Sequence, residues 1–263
     1  MIGATDSTKR FSNRVADYVR YRPGYPRAVL DLLRDECGLE PQSVIADVGS
    51  GTGILTRFFL ENGNLVYGVE PNAEMRRAGE ELLKAFPKFS SIASVAEATT
   101  LPDSSVDFVT AAQAFHWFDP PAAREEFSRI LRPDGWVAVI WNERKTTLGP
   151  FAEEYEKLLQ TYGTDYERVS DSYPQPERMA QLFGAGNFQH RAFPNEQRMD
   201  FDGLRGRLLS SSYAPAMGHP NHEPMVAELR RVFDRHAENG HVRFEYDTHV
   251  YYGQLNGSCA GNS

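Results

Sequence analysis

The hydrophobic positions in the first half of the chain alternate between two spacings. Short apolar runs of strand length occupy residues 44–48, 65–69, 91–95, 106–111 and 136–141. Between these runs, apolar residues recur at helical spacing, as in the segment from Ile54 to Leu60. Strands that alternate with helices in this way are typical of βαβ units. The pattern therefore predicts an α/β fold, with a parallel sheet that carries helices on both faces.

Capping residues predict where several of the helices begin and end. Asn72 is the predicted N-cap of a helix whose apolar face is Met75, Ala78, Leu82 and Phe86. Asp119, followed by Pro120, begins another helix, and Arg132 to Gly135 is the turn before the fifth strand. Asp202 is the predicted cap of a short helix, and a helix over residues 224–238 is predicted to end at Asn239-Gly240.

The end of the chain carries its clearest strand pattern. Val242, Phe244, Tyr246, Thr248, Val250 and Tyr252 alternate with more polar residues. A strand with one polar face is expected to be antiparallel or to lie at a sheet edge. Helices over 151–162 and 176–183 and a strand over 188–199 are predicted before it.

Composition narrows the class of protein. The 263 residues are 41% hydrophobic, enough for one large domain or one domain with a small cap. A net charge of -8 argues against broad nucleic-acid binding. Cys37 and Cys259 are far apart and no metal-type spacing occurs, so we expect no metal and no disulfide. Residues 1–7 lack an apolar leader and no stretch is long enough to span a membrane, so a cytoplasmic protein is expected.

The candidate binding site is the glycine-rich run that follows the first strand. This run, Gly49-Ser50-Gly51-Thr52-Gly53, does not meet the Gly-x-Gly-x-x-Gly spacing of dinucleotide-binding enzymes. Asp47 would repel a pyrophosphate but suits a sulfonium or ammonium group. Glu70, at the tip of the second strand, can accept hydrogen bonds from both hydroxyls of a ribose. These features favour S-adenosylmethionine as the ligand. A nicotinamide-dependent oxidoreductase and a non-catalytic S-adenosylmethionine-binding module remain as alternatives.

With these motifs the chain resembles the class I S-adenosylmethionine-dependent methyltransferases of the type 11 group. Within that group it is similar to the trans-aconitate methyltransferase-like members, in the segment Tyr21-Arg22-Pro23-Gly24-Tyr25-Pro26 and in Ala114-Phe115-His116-Trp117-Phe118. The resemblance implies a Rossmann-like sheet of seven mostly parallel strands with an antiparallel last strand. The implied cofactor contacts are Asp47, Gly49, Ser50, Gly51 and Gly53 for the methionine part; Glu70, Pro71, Asn72 and Met75 for the ribose; Ala96 and Glu97 for the adenine; and Gln113 and Phe115 for the methyl-donor end. Val95 stands where many relatives carry an Asp that binds the adenine amino group.

The methyl acceptor is expected to be a small molecule. Residues 11–26 are dense in Tyr and Arg and form either a surface helix and turn that cap the domain or a lid over the pocket. In a lid, Arg14, Arg20 and Arg22 could hold an acidic substrate. The candidate substrate contacts are Tyr18, Arg22, Tyr25, Trp117, Trp141 and Tyr213. A carboxylate acceptor needs no general base, whereas a hydroxyl or amine would need one, for which His116 and Tyr21 are candidates.

The predicted organisation is a single domain in four parts. Residues 1–40 form the lid and first helix, and residues 41–145 form the cofactor-binding core. Residues 146–255 complete the domain with substrate-cap helices and the last strands, and residues 256–263 form a disordered tail. A monomer or homodimer is expected, with no nucleic-acid or membrane partner.

Overall fold

The structure is a computed structural model that describes residues 21–164, 166, 176–211 and 213–255. Its centre is a seven-stranded sheet with the strand order β3-β2-β1-β4-β5-β7-β6. The strands are β1 (Val44–Val48), β2 (Leu65–Val69), β3 (Phe89–Ile92), β4 (Val106–Ala112), β5 (Leu131–Arg144), β6 (Gln189–Met199) and β7 (Val242–Gly253). β1 to β5 pair in parallel, while β7 is antiparallel to both β5 and β6. The predicted fold class is confirmed.

Helices connect the strands and flank the sheet. They are α1 (Ala28–Cys37), α2 (Ile54–Asn62), α3 (Ala73–Leu83), α4 (Pro120–Ile130), α5 (Pro150–Tyr162), α6 (Pro176–Phe183), α7 (Phe201–Leu209) and α8 (His222–His236). A 3-10 turn, Phe115–Trp117, follows β4. Asn72 and Asp119 cap α3 and α4 as predicted, because their side chains accept hydrogen bonds from the first free backbone N–H groups.

The last strand follows its predicted alternation. Val242, Phe244, Tyr246, Thr248 and Val250 are buried, and the residues between them are exposed or half-buried. β7 is antiparallel but lies inside the sheet, so β6 forms that edge and most of its side chains face solvent.

The predicted face of α3 was only partly right. The buried residues are Met75, Gly79 and Leu83, whereas Leu82 is 47% exposed. A Cβ on Gly79 would lie 3.4 Å from the carbonyl oxygen of Gly51. A Cβ there would be in ordinary van der Waals contact, so Gly79 marks where α3 packs against the glycine loop, a buried position that apolar spacing alone does not identify.

Two predicted boundaries in the second half were also wrong. Asp200, not Asp202, caps α7, since its carboxylate accepts a hydrogen bond from the N–H of Gly203 at 2.8 Å. α8 ends at His236, and Asn239 and Gly240 form a turn closed by the Glu238–His241 bridge. Both residues of that turn have positive φ, which Asn and Gly tolerate.

The predicted turn from Arg132 to Gly135 lies within β5. Val106 pairs with Leu131 and Phe108 pairs with Trp136, so the four intervening residues bulge out of the ladder. β3 begins two residues earlier than predicted and ends at Ile92.

Three hydrophobic clusters among the described residues stabilise the structure. Two cover the faces of the sheet, and the third joins α5, α7 and α8 to the beginning of β7. Arg144, the last residue of β5, pairs with Tyr246. The third cluster therefore stands beyond the carboxyl ends of the parallel strands, the edge at which open α/β sheets bind ligands. We call α5, α7 and α8 the cap.

Within the part of the chain that the structure describes, no helix is long and apolar enough to cross a membrane. Cys37 is a buried free thiol, and burial raises its pKa to about 12. Cys259 and the tail at 256–263 lie outside the described residues, so the predictions for them stay predictions.

Candidate functional site

The glycine loop joins β1 to α2 and is tied to the end of β2. The N–H groups of Gly49 and Ser50 both donate to the carbonyl of Val69, at 2.8 and 3.1 Å. Gly49 has a φ of +70°, and a Cβ there would lie 2.4 Å from the Cβ of Ala114. At this position glycine is therefore required by a protein contact, namely the close approach of the segment after β4.

Asp47 lies beneath the loop with 1% of its surface exposed. Its carboxylate accepts hydrogen bonds from the hydroxyls of Thr56 on α2, at 2.6 Å, and Thr110 on β4, at 3.2 Å. Burial raises its pKa to about 7, with a further contribution from the charge of Glu70 and against the lowering effect of the two hydroxyls. The carboxylate therefore fixes the loop between helix and sheet, and it still has acceptor capacity for a ligand.

Glu70 extends from the end of β2 across the loop. Its two carboxylate oxygens accept hydrogen bonds from the N–H of Gly51, at 2.9 Å, and from the N–H of Asn72, at 2.8 Å. Burial raises its pKa, while these two main-chain donors act in the opposite direction. The structure thus places Asp47 and Glu70, predicted from strand-end positions alone, on either side of one glycine loop.

The segment after β4 faces the loop with a strained residue. Gln113 has a φ of +55°, uncommon for a residue with a side chain, and its Nε2 donates to the carbonyl of Asn142 at 3.0 Å. Such conformations cluster at functional sites, where surrounding contacts hold them. The guanidinium of Arg178 on α6 donates to the carbonyls of Phe115 and Phe118 and fixes the turn that carries His116.

His116 is enclosed by aromatic rings. Its ring centre lies 4.5 Å from that of Trp117 and 5.2 Å from that of Trp141. Burial lowers its pKa to about 3, and the nearby Arg178 adds to the shift. Its Nδ1 is buried with no hydrogen-bond partner among the described residues. The imidazole is therefore neutral, and one of its polar atoms is available to a ligand.

Comparison with known proteins assigns the family. The profile of the methyltransferase domain family matches residues 46–139, the span from β1 to β5. An uncharacterized methyltransferase-like protein of Schizosaccharomyces pombe is 33% identical over 228 residues, covering 85% of this chain and 86% of that protein. The chain belongs to the methyltransferase family. Its cofactor is S-adenosylmethionine, and the nicotinamide-dependent alternative is removed.

Two further relatives are similar to this methyltransferase. An uncharacterized methyltransferase of Mycobacterium tuberculosis is 37% identical over 172 residues, 65% of this chain and 66% of that protein. A solved structure from Anaeromyxobacter dehalogenans, provisionally named a type II methyltransferase, has a TM-score of 0.64 at 24% identity. It covers 89% of this chain and 98% of that one, a likeness of fold alone.

The electrostatics of the loop fit the cofactor of the methyltransferase. Two buried carboxyl groups with raised pKa values flank the same turn, and the charge of Glu70 contributes to the shift at Asp47. A site with two such carboxyl groups favours the binding of a positively charged group. The sulfonium and ammonium groups of S-adenosylmethionine would supply this positive charge.

Other predicted cofactor residues have partners within the protein. The side chain of Asn72 accepts from the N–H groups of Glu74 and Met75, both at 3.0 Å, and Met75 is buried beside the loop. Glu97 accepts from the N–H of Asp119, whereas Ala96 is buried in the core. Pro71 is exposed, and the ring of Phe115 packs in the same core. Their contacts with the cofactor stay predictions.

The described part of the predicted lid bridges α2 and the cap. Arg22 donates to the carbonyl of Ser210 at 3.2 Å and lines a cavity of about 330 Å³ together with Tyr25 and Thr52. The ring of Tyr21 covers Gly206 on α7, where a Cβ would lie 2.0 Å from it. Tyr18, Arg14 and Arg20 lie outside the described residues.

Of the remaining predicted substrate contacts, Trp117 and Trp141 meet at His116, whereas Tyr213 lies apart from them, in the cap, with its ring centre 4.9 Å from that of Tyr166. The structure therefore does not bring all these side chains to one point.

Asn142 is a central residue that sequence reasoning missed. Its Nδ2 donates to the carbonyl of Gly24 at 3.1 Å, and its Oδ1 accepts from Thr248 at 2.5 Å and from Asn195 at 3.3 Å. Its backbone carbonyl accepts a hydrogen bond from Nε2 of Gln113. It thus joins the N-terminal segment to the ends of β4 and β5. The signal available in the sequence was a lone amide that directly follows a buried apolar strand.

Proposed function

We propose that this methyltransferase transfers the methyl group of S-adenosylmethionine to the carboxylate of a small organic acid. The observation that carries the proposal is the environment of His116. This imidazole lies on the turn after β4, among aromatic rings and beside a guanidinium, and its pKa is about 3. A base this weak removes few protons from a hydroxyl or an ammonium near neutral pH. An acceptor that is already an anion does not need one.

The donor half of the site, as we propose it, is the glycine loop with its two carboxylates. Glu70 would accept hydrogen bonds from the ribose hydroxyls while the N–H of Gly51 keeps its carboxylate in place. Asp47 would face the cationic methionine part from below the loop, with Thr56 and Thr110 holding it. Ala96 and the main chain at Val95 would contact the adenine, because Val95 offers no polar side chain.

The acceptor side needs orientation more than it needs proton transfer. Tyr21, the second candidate base, packs its ring on Gly206, and its carbonyl accepts from Gln197 at 2.9 Å. These contacts support a role in closing the site. Trp117, Trp141 and His116 would form an apolar wall that excludes water, and Nδ1 of His116 would donate a hydrogen bond to the acceptor acid.

S-adenosylmethionine supplies an electrophilic methyl group on a sulfonium. In the proposed step a carboxylate oxygen forms the new O–CH₃ bond as the S–CH₃ bond breaks, and the bonding pair stays on sulfur. The products are a methyl ester and the neutral thioether S-adenosylhomocysteine. Because a cation and an anion become two neutral groups, an apolar wall favours the step. The protein contributes in-line alignment of the two reacting groups.

The test is a methylation screen with purified protein and S-adenosylmethionine. Small carboxylic acids, phenols and primary amines are offered separately, and S-adenosylhomocysteine and the methylated product are both measured. We expect methyl esters from one or more acids. Methylation confined to phenols or amines would refute the acid proposal. Binding of S-adenosylmethionine without turnover on any acceptor would instead favour the non-catalytic binding module.

A further inference from the structure

Two buried arginines of the cap region differ in how their charge is balanced. Arg144, at the end of β5, donates to the carboxylate of Glu156 at 2.5 Å. Arg207, on α7, is 8% exposed, donates to the hydroxyl of Ser211 at 3.0 Å and is also hydrogen-bonded to the side chain of Tyr246. Among the described residues, its Nε has no hydrogen-bond partner and its guanidinium has no ion pair. Arg207 is therefore a buried cation with neutral partners in this part of the chain.

A buried charge without a counterion is unfavourable, and proteins rarely keep one without a use. One structural benefit is present. Arg207 lies in the last turn of α7, where a cation interacts favourably with the helix dipole. That benefit is available equally to an exposed residue such as Arg205 on the same helix, so it does not explain why the guanidinium is buried.

The two arginines lie close enough to the same two tyrosine side chains to affect their pKa values. Both Arg144 and Arg207 influence Tyr155 and Tyr213 electrostatically. Burial would raise the pKa of Tyr213, but Arg207, Arg144 and other neighbours outweigh it and the pKa is lowered. Nη1 of Arg144 is also buried without a partner among the described residues. The cluster thus holds unused guanidinium N–H groups from two elements around one tyrosine.

The cluster is placed on the acceptor side of the site. Arg144 lies two positions after Asn142 and so points to the same face of β5. Asn142 donates to the carbonyl of Gly24 in the N-terminal segment, while its own carbonyl accepts from Gln113 after β4. Next to Arg207, Gly206 is covered by the ring of Tyr21, so the N-terminal segment closes over the same part of α7. The cluster therefore lies beneath the segment predicted to form the lid.

We propose that Arg207, with Arg144 and Tyr213, binds a carboxylate of the methyl acceptor. This inference rests on the proposed function for its choice of ligand. The charge supports an anion, because Glu156 already balances Arg144, whereas Arg207 has no ion pair among the described residues and Arg22 also acts on Tyr213. Arginine also matches the planar carboxylate with paired N–H donors.

Binding is tested first, by thermal unfolding of the full chain with S-adenosylhomocysteine present. The probes are short mono- and dicarboxylates, their primary amides, and inorganic phosphate at equal ionic strength. We expect one or more carboxylates to raise the Tm of the wild-type protein, with no shift from the amides. Arg207→Met should abolish the shift, and the exposed control Arg205→Met should keep it. If Arg207→Met fails to fold, Arg207→Lys, which keeps the charge and loses the planar fork, makes the same comparison.

Kinetics then separate substrate binding from a structural role. With an acid that is turned over, Arg207→Met should raise the KM for the acid about 10- to 100-fold, the loss expected for charge-assisted hydrogen bonds. The KM for S-adenosylmethionine should be unchanged. Equal carboxylate shifts in wild type and Arg207→Met, or a shift with phosphate alone, would overturn the inference. If S-adenosylhomocysteine does not stabilise the protein, that result counts against the donor site. The Tm shifts that carboxylates cause in its absence still test the role of Arg207.

Discussion

The two halves of the site carry opposite charge. The proposed donor half has Asp47 and Glu70 around the glycine loop, whereas the proposed acceptor half has Arg144 at the end of β5 and Arg207 on α7. Each half is buried, so its charge is weakly screened by solvent. The difference supports our proposal that the site takes two ligands of opposite charge. A cationic methyl donor fits the acidic half and an anionic acceptor fits the basic half.

The halves also differ in how the chain assembles them. Asp47, the loop and Glu70 come from one short run, and they are tied together mostly by main-chain hydrogen bonds. The acceptor half draws on the ends of β4 and β5, on α7 and on the N-terminal segment. Asn142 connects several of these through its side chain and its carbonyl. The donor half is thus a local structure, while the acceptor half depends on tertiary packing.

The largest effect is expected where the halves touch, at Gly49. In Gly49→Ala the new Cβ would need the space of the Ala114 Cβ, in a residue with a φ of +70°. Backbone strain of about 1 kcal/mol and overpacking of about 1–3 kcal/mol predict a loss of about 2–4 kcal/mol in the free energy of unfolding. Urea denaturation measures it.

Gly38→Ala is the matched control for that variant. Gly38 has a φ of +72°, and a Cβ at this position would have no other atom within 4 Å, so only backbone strain applies. We expect a loss of about 1 kcal/mol. If the two variants lost the same free energy of unfolding, the close approach of Ala114 to the loop would make no difference to the cost of a side chain at Gly49.

Removing the charge of Glu70 should weaken the donor half next. Glu70→Gln keeps the size of the side chain but replaces the carboxylate that we propose receives the ribose hydroxyls. A loss of about 2–3 kcal/mol, about 30- to 150-fold in the Kd for S-adenosylmethionine, is expected. Isothermal titration calorimetry measures it, with Glu61→Gln on the exposed face of α2 as control. Wild-type affinity in Glu70→Gln would place the ribose elsewhere.

The sequence predicted the local geometry of the glycine loop because its signals are local, whereas the contacts of these residues with the cofactor stay predictions. A buried strand, a glycine loop and an acidic residue at the next strand tip stand close together in the chain, and the structure brings Asp47, Gly51 and Glu70 together as expected. The mostly parallel sheet and its antiparallel last strand were predicted for the same reason, since each strand carries its own pattern.

The acceptor half could not be predicted in the same way. Arg207 is one of many arginines in the sequence, and only the packing of α7 makes it buried. The face of α3 was partly wrong because apolar spacing does not count Gly79, which is buried against the glycine loop, as part of the buried face. Asp202 was the predicted cap of α7, and only the hydrogen bond from the N–H of Gly203 identifies Asp200 as the cap instead.

A smaller effect is expected from pH, because the affinity for S-adenosylmethionine should depend on the ionisation of Asp47 in the acidic half. If only ionised Asp47 binds the cationic cofactor, its pKa of about 7 predicts that the Kd for S-adenosylmethionine rises about tenfold from pH 8 to pH 6. The pKa in the folded protein is above the unfolded value, so the folded state holds the extra proton between about pH 4 and 7. The contribution of Asp47 to stability therefore falls as pH rises through that window. Calorimetry at several pH values measures the Kd, and in Asp47→Asn the dependence on pH should disappear.

The smallest effect is expected from replacing Arg207 in the protein without ligands. Arg207→Met removes a buried charge that has no acidic partner among the described residues, and methionine fills a similar volume. We expect the free energy of unfolding to stay within about 1 kcal/mol of the wild type or to rise. Arg144→Met is the contrasting variant, because it would leave Glu156 without its ion-pair partner and should lose about 3 kcal/mol. If urea denaturation showed an equal loss in both, the guanidinium of Arg207 would be part of the folded framework, and the charge of the acceptor half would not be held for a ligand.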